Sequence, residues 1–266
     1  MLCENSVNYY VRKGLKMKIL IQKMFSIFGY RIASLEHHHL TVLKKLLKGN
    51  QKLIIFDVGA HYGETERGYS KIFKNSAIYC FEPFESSFLV LKNNVGEHTK
   101  IYNIGFSDIA GELEFQSNYA DATNSLLSLE KNANEVWGLK ELSQKGKVKC
   151  QFDTIDGFIL TNDINQIDLL KLDVQGAEYK VLLGAKKSLS NQIIKNIYME
   201  IILAPTYKGQ WGIGQYIKEM NSYGYELYGI YNMYHDGNGR LLQIDAIFSL
   251  EINQQSISSN SLSGTF

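Results

Sequence analysis

The sequence predicts an α/β fold on a mostly parallel sheet, and three observations predict it. Leu53 to Glu82 reads as strand, glycine turn, helix and strand ending in a carboxylate. Ile167 to Asp173 and Ile197 to Ile202 are apolar runs of the kind found in strands buried on both faces, with helix-compatible sequence between them. Tyr225 to Tyr231 and Leu241 to Leu250 are joined through HDGNG, which is too short for a crossover helix, so this last pair should be antiparallel.

The first fifty residues differ from the rest. Between Val11 and Ile32, Arg12, Lys13, Lys16, Lys18, Lys23 and Arg31 alternate with Met, Ile, Leu and Phe, and no acid intervenes. A basic amphipathic helix follows. Lysines break the apolar runs too often for a transmembrane span, and no signal-peptide cleavage site follows. Residues 11–32 are therefore expected to pack on the domain or a second subunit, or to lie on an anionic membrane surface. Leu35 to Leu47 gives a second helix with Leu40, Leu43 and Leu47 on one side, ended by Gly49. His37, His38 and His39 point about 100° apart on it, cannot converge on one metal, and should form a solvated polar face.

In the 53–82 unit, the apolar run Leu53 to Phe56, rich in β-branched residues, gives way to Asp57, Gly59 and Gly63, where two glycines let the backbone turn tightly and approach a ligand. Helix-compatible sequence starts at Glu64. Ala77 to Phe81 ends in Glu82, which Pro83 keeps extended, so the carboxylate should project from a strand end at the spacing used to reach a ribose diol. GAHYGET lacks the third glycine of the dinucleotide fingerprint, so the phosphate-cradling version is not matched.

Glu85 to Val95 reads as a helix and Lys100 to Gly105 as a third strand ending before Ser107 and Asp108. Gly111 to Phe115 looks like a short alternating strand. Asn118 to Lys147 is polar and irregular, with Trp137 as its one large anchor, and an insertion this long beside a nucleotide site is expected to be functional or mobile. Gln175 to Glu178 opens a helix whose apolar face is Ala177, Val181, Ala185 and Leu189, and Gly212 to Tyr223 gives another.

The 266 residues suffice for one sizeable core with appendages, and two prolines with 22 glycines argue against low-complexity linkers. The formal charge of +1 gives no global field to attract nucleic acid. Cys3, Cys80 and Cys150 are few, odd in number and scattered, which predicts buried reduced thiols in a cytoplasmic protein.

DVGAHYGE, FEP at 81–83, SD with a following glycine at 107–111, the insertion, and IDLLKLDVQGAE followed by ME at 199–200 together resemble the FkbM family of S-adenosylmethionine-dependent methyltransferases, over roughly residues 50 to 250. The resemblance implies a class I methyltransferase (Rossmann-like), doubly wound, seven-stranded sheet with its last strand antiparallel, preceded by an N-terminal helical extension. The expected organisation is an extension over 1–49, a methyltransferase domain over 50–251 with a lid-like insertion at 118–147, and a flexible tail over 252–266. It implies O-methylation, commonly of a sugar hydroxyl on a glycan, glycolipid or natural product. The family usually has Asn where His61 stands and Glu where Gln175 stands.

A sulfonium cofactor suits carboxylates at Asp57, Glu82 and Asp108 better than a pyrophosphate would. By similarity, Glu82 with Pro83 takes the ribose, Ser107 and Asp108 border the adenine, and Gly59, His61 and Gly63 lie against the methionine portion. A sugar hydroxyl must also lose its proton, to a base or at a metal. Asp173, Glu178 and Glu200 are the candidate bases; a divalent metal is left open, with Asp173 its candidate ligand. The structural alternatives are that Asp173 caps the next helix and that Glu178 pairs with a lysine such as Lys171. A nicotinamide-dependent oxidoreductase and a non-catalytic nucleotide-binding module are the competing expectations.

Overall fold

The computed structural model describes residues 23–24, 27, 38–48, 52–138 and 142–250. The tail, and nearly all of the basic helix expected over 11–32, lie outside the described residues. The chain divides into two units, Met1–Leu46 and Leu47–Phe266.

In the first unit, α1 (His39–Leu46) buries Val42 and Leu43 and carries Lys44 and Lys45 in its last turn, where cations oppose the helix dipole. The histidines differ from the expected solvated face. His38 is exposed, but His39 is half-buried, and burial with His38 alongside pushes its pKa down to about 4.

In the second unit the chain runs β1 (Leu53–Val58), α2 (Glu64–Ile72), β2 (Ser76–Phe81), α3 (Glu85–Asn94), β3 (Lys100–Tyr102), β4 (Gly105–Phe106), β5 (Gly111–Asn118) and a 3-10 turn, Asp121–Thr123. It continues through α4 (Ala133–Trp137), β6 (Gln144–Asp153), α5 (Ile155–Thr161), β7 (Ile167–Leu172), α6 (Glu178–Leu183), α7 (Lys186–Ser190), β8 (Ile194–Ile202), α8 (Ile213–Ser222), β9 (Glu226–His235) and β10 (Leu241–Ser249). Seven strands form one sheet in the order β3-β2-β1-β7-β8-β10-β9. β10 is antiparallel to both neighbours and the other pairings are parallel, which is the class I methyltransferase arrangement expected. Chain order reverses between β1 and β7, so a crevice opens at the carboxyl ends of those strands. Among the described residues no helix is long and apolar enough to cross a membrane.

Three elements differ from the sequence reading. The third strand is split: β3 stays in the main sheet, while β4 leaves to join β6 and β5 in a second, three-stranded sheet. Asn103 causes the departure by donating to the carbonyls of Glu82 and Pro83 at 2.8 and 3.2 Å, and Gly105 permits it, since a Cβ there would lie 2.3 Å from the Phe152 ring. The irregular insertion ends inside a ten-residue strand, β6, whose first residues, Gln144 to Lys147, read as loop, and which pairs across the hairpin with acids, Lys149 with Glu112 and Lys147 with Glu114. Third, the helix expected through Ala177, Val181, Ala185 and Leu189 breaks at Gly184, although all four apolar residues are buried. A Cβ on Gly184 would lie 2.1 Å from the Ser107 carbonyl oxygen, and Asp156 caps the new start by accepting from the Lys187 and Ser188 backbone N–H groups.

The core is aromatic on the side that α5 covers. Phe158 stands edge-on to Phe56, Phe81, Tyr102 and Phe106, with centroids 5.0 to 5.8 Å apart, and so ties α5 to β1, β2, β3 and β4. Cys80 and Cys150 are both buried free thiols.

Candidate active site

A cavity of about 350 Å³ opens at the reversal point. Its lining includes Val58 to His61 after β1, Glu82 and Pro83 after β2, and Lys171 with Asp173 to Gln175 at the end of β7. Glu200 of β8, the aromatic wall of Phe106, Phe115 and Phe152, and Asp121, Ala122, Asn124 and Leu126 of the insertion also line it, as do Glu64 and Thr65 at the start of α2.

The first wall is the glycine turn. Gly59 has φ +78, and a Cβ on it would lie 1.9 Å from the Asp173 carbonyl oxygen, so the turns after β1 and β7 touch only because this residue is glycine. Every N–H in the turn is spent within the protein. Gly59 and Ala60 donate to the Phe81 carbonyl, His61 to Glu82 Oε2, Tyr62 to Glu64 Oε2, and Gly63 to the Ala60 carbonyl.

Glu82 is the fixed acid of this wall. Its Oε2 accepts from His61 N–H at 3.0 Å and its Oε1 from Phe84 N–H at 2.9 Å, leaving further lone pairs for a ligand. Burial pushes its pKa up to about 7 against the pull of those two backbone donors.

At the other end, Lys171 joins the acids. Its Nζ lies 3.0 Å from Asp57 Oδ1 and 3.3 Å from Asp173 Oδ2, and donates to the Gly59 carbonyl at 3.3 Å. Burial opposes its charge, but Asp57 and Asp173 outweigh that and raise its pKa. Gln175, held at φ 56, donates through Nε2 to Asp173 Oδ1 at 3.0 Å and to Glu200 Oε2 at 2.8 Å. Gln243 donates to the other Glu200 oxygen at 2.5 Å. Burial, and after it the charges of Asp173 and Glu178, raise the Glu200 pKa well above the usual carboxylate range.

Of the residues singled out from sequence, Gly59, His61, Glu82, Pro83, Asp173 and Glu200 line the cavity; Asp57, Gly63, Ser107, Asp108 and Glu178 do not. Asp57 is fully buried on the sheet face and meets Lys171. Gly63 opens α2 at φ +83. Ser107 donates its hydroxyl to Asp108, which also takes Lys180 at 3.2 Å and faces a separate depression. Glu178 accepts from Val174 and Gly176 N–H groups at 2.9 and 3.2 Å, so it braces the loop after β7 and neither pairs with Lys171 nor reaches the cavity. Asp173 does not cap α6; its oxygens go to Lys171 and Gln175. Among the described residues no three His, Cys, Asp or Glu side chains are grouped to hold a metal ion.

Sequence reasoning missed Lys171, Gln175 as a bridge, and the phenylalanine wall. A lysine inside the otherwise apolar run IDLLKLD was the available signal, since a buried lysine demands an acid. The insertion is also better anchored than its polarity suggested. Trp137 Nε1 donates to Thr206 at 2.7 Å, its ring stacks on Tyr234, and Ser125, fully buried, donates to the Gln175 carbonyl at 2.8 Å.

Residues 57–227, the span holding every residue that lines this cavity, match the family described as Methyltransferase FkbM domain. The 2-O-methyltransferase NoeI of Sinorhizobium fredii (strain NBRC 101917 / NGR234) is 24% identical over 163 residues, 59% of this chain and 66% of that protein. The chain therefore spans just under two thirds of this relative's length. Similar solved structures include a TehB-like SAM-dependent methyltransferase from Corynebacterium glutamicum ATCC 13032 Kitasato, with TM-score 0.40 and 13% identity, covering 93% of this chain and 99% of that one. M. capricolum TrmK in complex with S-adenosyl-homocysteine gives TM-score 0.41 and 13% identity over 80% of this chain and 67% of that one. The family match covers well over half of the sequence and takes in the glycine turn, Glu82, Asp173 and Glu200, so the chain belongs to the FkbM family of S-adenosylmethionine-dependent methyltransferases.

Proposed function

We propose that this chain methylates a hydroxyl oxygen, with S-adenosylmethionine as donor and a sugar of a glycan, glycolipid or natural product as acceptor. The observation that carries the reading is the donor set of the cavity. Glu82 offers carboxylate oxygens to a diol, Phe106, Phe115 and Phe152 offer a wall to a planar base, and the glycine turn has no N–H left for a phosphate. That set fits a nucleoside carrying a cationic amino-acid arm and disfavours the pyrophosphate of a nicotinamide cofactor. Ser107 and Asp108, expected beside the adenine, give way in this reading to the phenylalanine wall.

When bound, S-adenosylmethionine would supply an electrophilic methyl carbon, which takes the acceptor oxygen in line as its bond to sulfur breaks and S-adenosylhomocysteine leaves. Asp173, partly exposed to the cavity, takes the proton of the acceptor hydroxyl on a carboxylate oxygen. Lys171 is ion-paired to Asp173 at 3.3 Å, and Gln175 fixes its orientation while holding Glu200 beside it. Glu178 acts through the loop it braces. A hydroxyl acceptor is supported by the similarity to NoeI, a 2-O-methyltransferase.

Calorimetric titration with S-adenosylmethionine and with NAD tests the cofactor, and glycan mass spectrometry of cells with and without the protein tests the acceptor. Binding of the first cofactor alone, together with a methyl group lost from a glycan when the protein is absent, is expected. Binding of NAD would overturn the reading. Tight binding with neither S-adenosylhomocysteine release on a glycan extract nor an altered glycan would make the chain a binding module.

A further inference from the structure

We infer that Asn124 decides which acceptor is methylated: its side-chain amide donates to an oxygen beside the hydroxyl that gives its proton to Asp173, so the acceptor is a sugar with free hydroxyls on neighbouring carbons. The inference rests on the sugar-hydroxyl reading of the cavity and narrows it to vicinal diols.

The observation is an unspent donor in the cavity wall. Asn124 lines the cavity from the insertion and is 8% exposed. Its Oδ1 accepts from the Asn118 backbone N–H at 2.7 Å, which fixes the orientation of the amide. Its Nδ2 is buried without a hydrogen-bond partner and is the polar atom left to meet a ligand. Asn118 also leaves its Oδ1 without a partner, but its own amide is held on Thr123, donating to the carbonyl at 2.6 Å and the hydroxyl at 3.2 Å, and the two side chains make no bond to each other through these atoms. Other polar groups of the wall do not impose the same demand. Lys171 and Gln175 direct their donors to Asp57, Asp173 and Glu200, and the Thr65 hydroxyl and His61 ring can each donate or accept. Asn124 can only donate.

The chain around Asn124 ties it to the acceptor end. On one side the Ser125 hydroxyl donates to the Gln175 carbonyl at 2.8 Å. On the other, the Thr123 carbonyl accepts from the Tyr207 hydroxyl at 2.8 Å, and that hydroxyl lies 3.3 Å from Gln175 Oε1. Tyr207 is itself fixed, since its backbone N–H donates to Gln210 at 2.7 Å and a Cβ on Gly176 would lie 2.9 Å from its ring. Both neighbours of Asn124 are thus fastened to the residue whose Nε2 holds Asp173 and Glu200.

An acceptor in this corner meets an oxygen that accepts, on Asp173, and a nitrogen that donates, on Asn124. Donation to the reacting oxygen would be unproductive, because that oxygen loses charge on attacking the methyl carbon and the bond would favour the ground state over the transition state. The productive partner is the next oxygen. A second hydroxyl there accepts from Asn124 and can pass its own proton to another carboxylate of the wall, such as Glu200 or Asp121, which an ether oxygen cannot.

The test uses the full chain, a glycan extract and S-adenosylmethionine with a trideuterated methyl group. Part of the extract is first oxidised with periodate, which cleaves the carbon–carbon bond between neighbouring free hydroxyls, and then reduced with borohydride. Mass-spectrometric linkage analysis should find the label on a hydroxyl whose neighbouring carbon bears a free hydroxyl, and the oxidised extract should take up less than about a tenth as much. Asn124→Asp keeps the oxygen that accepts from Asn118 and exchanges the donor for an acceptor. At about pH 8, where the new carboxyl is ionised, it should raise KM for the extract about tenfold or more, with kcat and the calorimetric affinity for S-adenosylhomocysteine each within about twofold of the unmodified chain. Equal labelling of both extracts, label on a hydroxyl with no free neighbour, an unchanged KM, or an S-adenosylhomocysteine affinity that falls in step with it would each overturn the inference, and the first two need no variant. No label on the untreated extract would overturn the sugar reading and this inference with it.

Discussion

Replacing Glu82 with glutamine probes the ribose side of the site and carries two separable consequences. The residue is 7% exposed, and each of its oxygens accepts a backbone N–H. Glutamine keeps one acceptor oxygen and turns an NH₂ toward the other backbone donor, which costs about 1–3 kcal/mol for a buried unsatisfied group. Removing the buried carboxyl has the opposite effect on folding. Its pKa is raised from 4.5 to about 7, so the folded chain holds a proton that the unfolded chain releases earlier. That contribution to stability is fully present below pH 4.5 and is lost as pH rises to about 7, a swing of up to about 3 kcal/mol. The two effects nearly cancel at neutral pH, and urea melts of Glu82→Gln should show an unchanged midpoint there with a flatter dependence on pH. Binding has no such compensation. A carboxylate accepting two ribose hydroxyls makes charge-assisted bonds worth about 1.5–3 kcal/mol each, so S-adenosylhomocysteine should bind about a hundredfold more weakly by calorimetry. Affinity within about twofold of the unmodified chain, in a variant that melts normally, would refute the assignment of Glu82 to the diol.

The other perturbations follow from the opposite end of the cavity and from the insertion. Asp173→Asn keeps volume and removes charge; turnover on a glycan extract, followed as S-adenosylhomocysteine release, should fall about a hundredfold or more while S-adenosylhomocysteine affinity is nearly retained, and full turnover would move the base to Glu200. Lys171→Met leaves Asp57 buried with no counter-ion, so urea melts should show a loss of about 3–5 kcal/mol, and a loss below about 1 kcal/mol would mean that the ion pair is not what holds these strand ends together. Hydrogen exchange tests the proposed lid: the segment is tied down at Thr123, whose carbonyl accepts from the Tyr207 hydroxyl at 2.8 Å, and beyond it at Ser125 and Trp137, whereas the Tyr62–Asp121 contact that faces the cavity is long at 3.5 Å, so S-adenosylhomocysteine should slow exchange at residues 119–124 and leave 125–138 unchanged. Exchange at 119–124 that is equally slow with and without the ligand would make the segment a fixed wall.

Local signals in the chain were enough for the sheet and the glycine turn. β1, β7 and β8 read as strands because they are apolar on both faces, and the closing hairpin because its connection is short. What stayed hidden depends on partners distant in sequence. The first half of β6, up to Lys147, looked like loop because that lysine is neutralised only when the strand lies against β5, and the break at Gly184 exists only because the Ser107 carbonyl arrives there from another part of the chain. The meeting of Gln175 with Glu200, Ser125 and Tyr207 likewise joins four segments with no common pattern.

The acids show how small the decisive difference is. Asp57, Glu82 and Asp173 each follow an apolar run and were read alike as carboxylates at strand ends. Asp57, however, is still inside the ladder, paired with Cys80 on one side and Lys171 on the other, so its side chain lies on the sheet face. Glu82 and Asp173 each stand one residue past the last residue of β2 and β7, and both line the cavity. The same register explains Lys171. Parallel strands put paired side chains on one face, so pairing Asp57 with Lys171 brings acid and base together, and Asp173, two residues on from Lys171, closes over the same ammonium from the cavity side. An acid that looked like a ligand contact thus becomes the counter-ion of a lysine that itself supports the proposed base. Its contribution to chemistry runs through Lys171, and substitution of Asp57 should disturb stability and the placement of Lys171 against Asp173 before it disturbs contact with the cofactor.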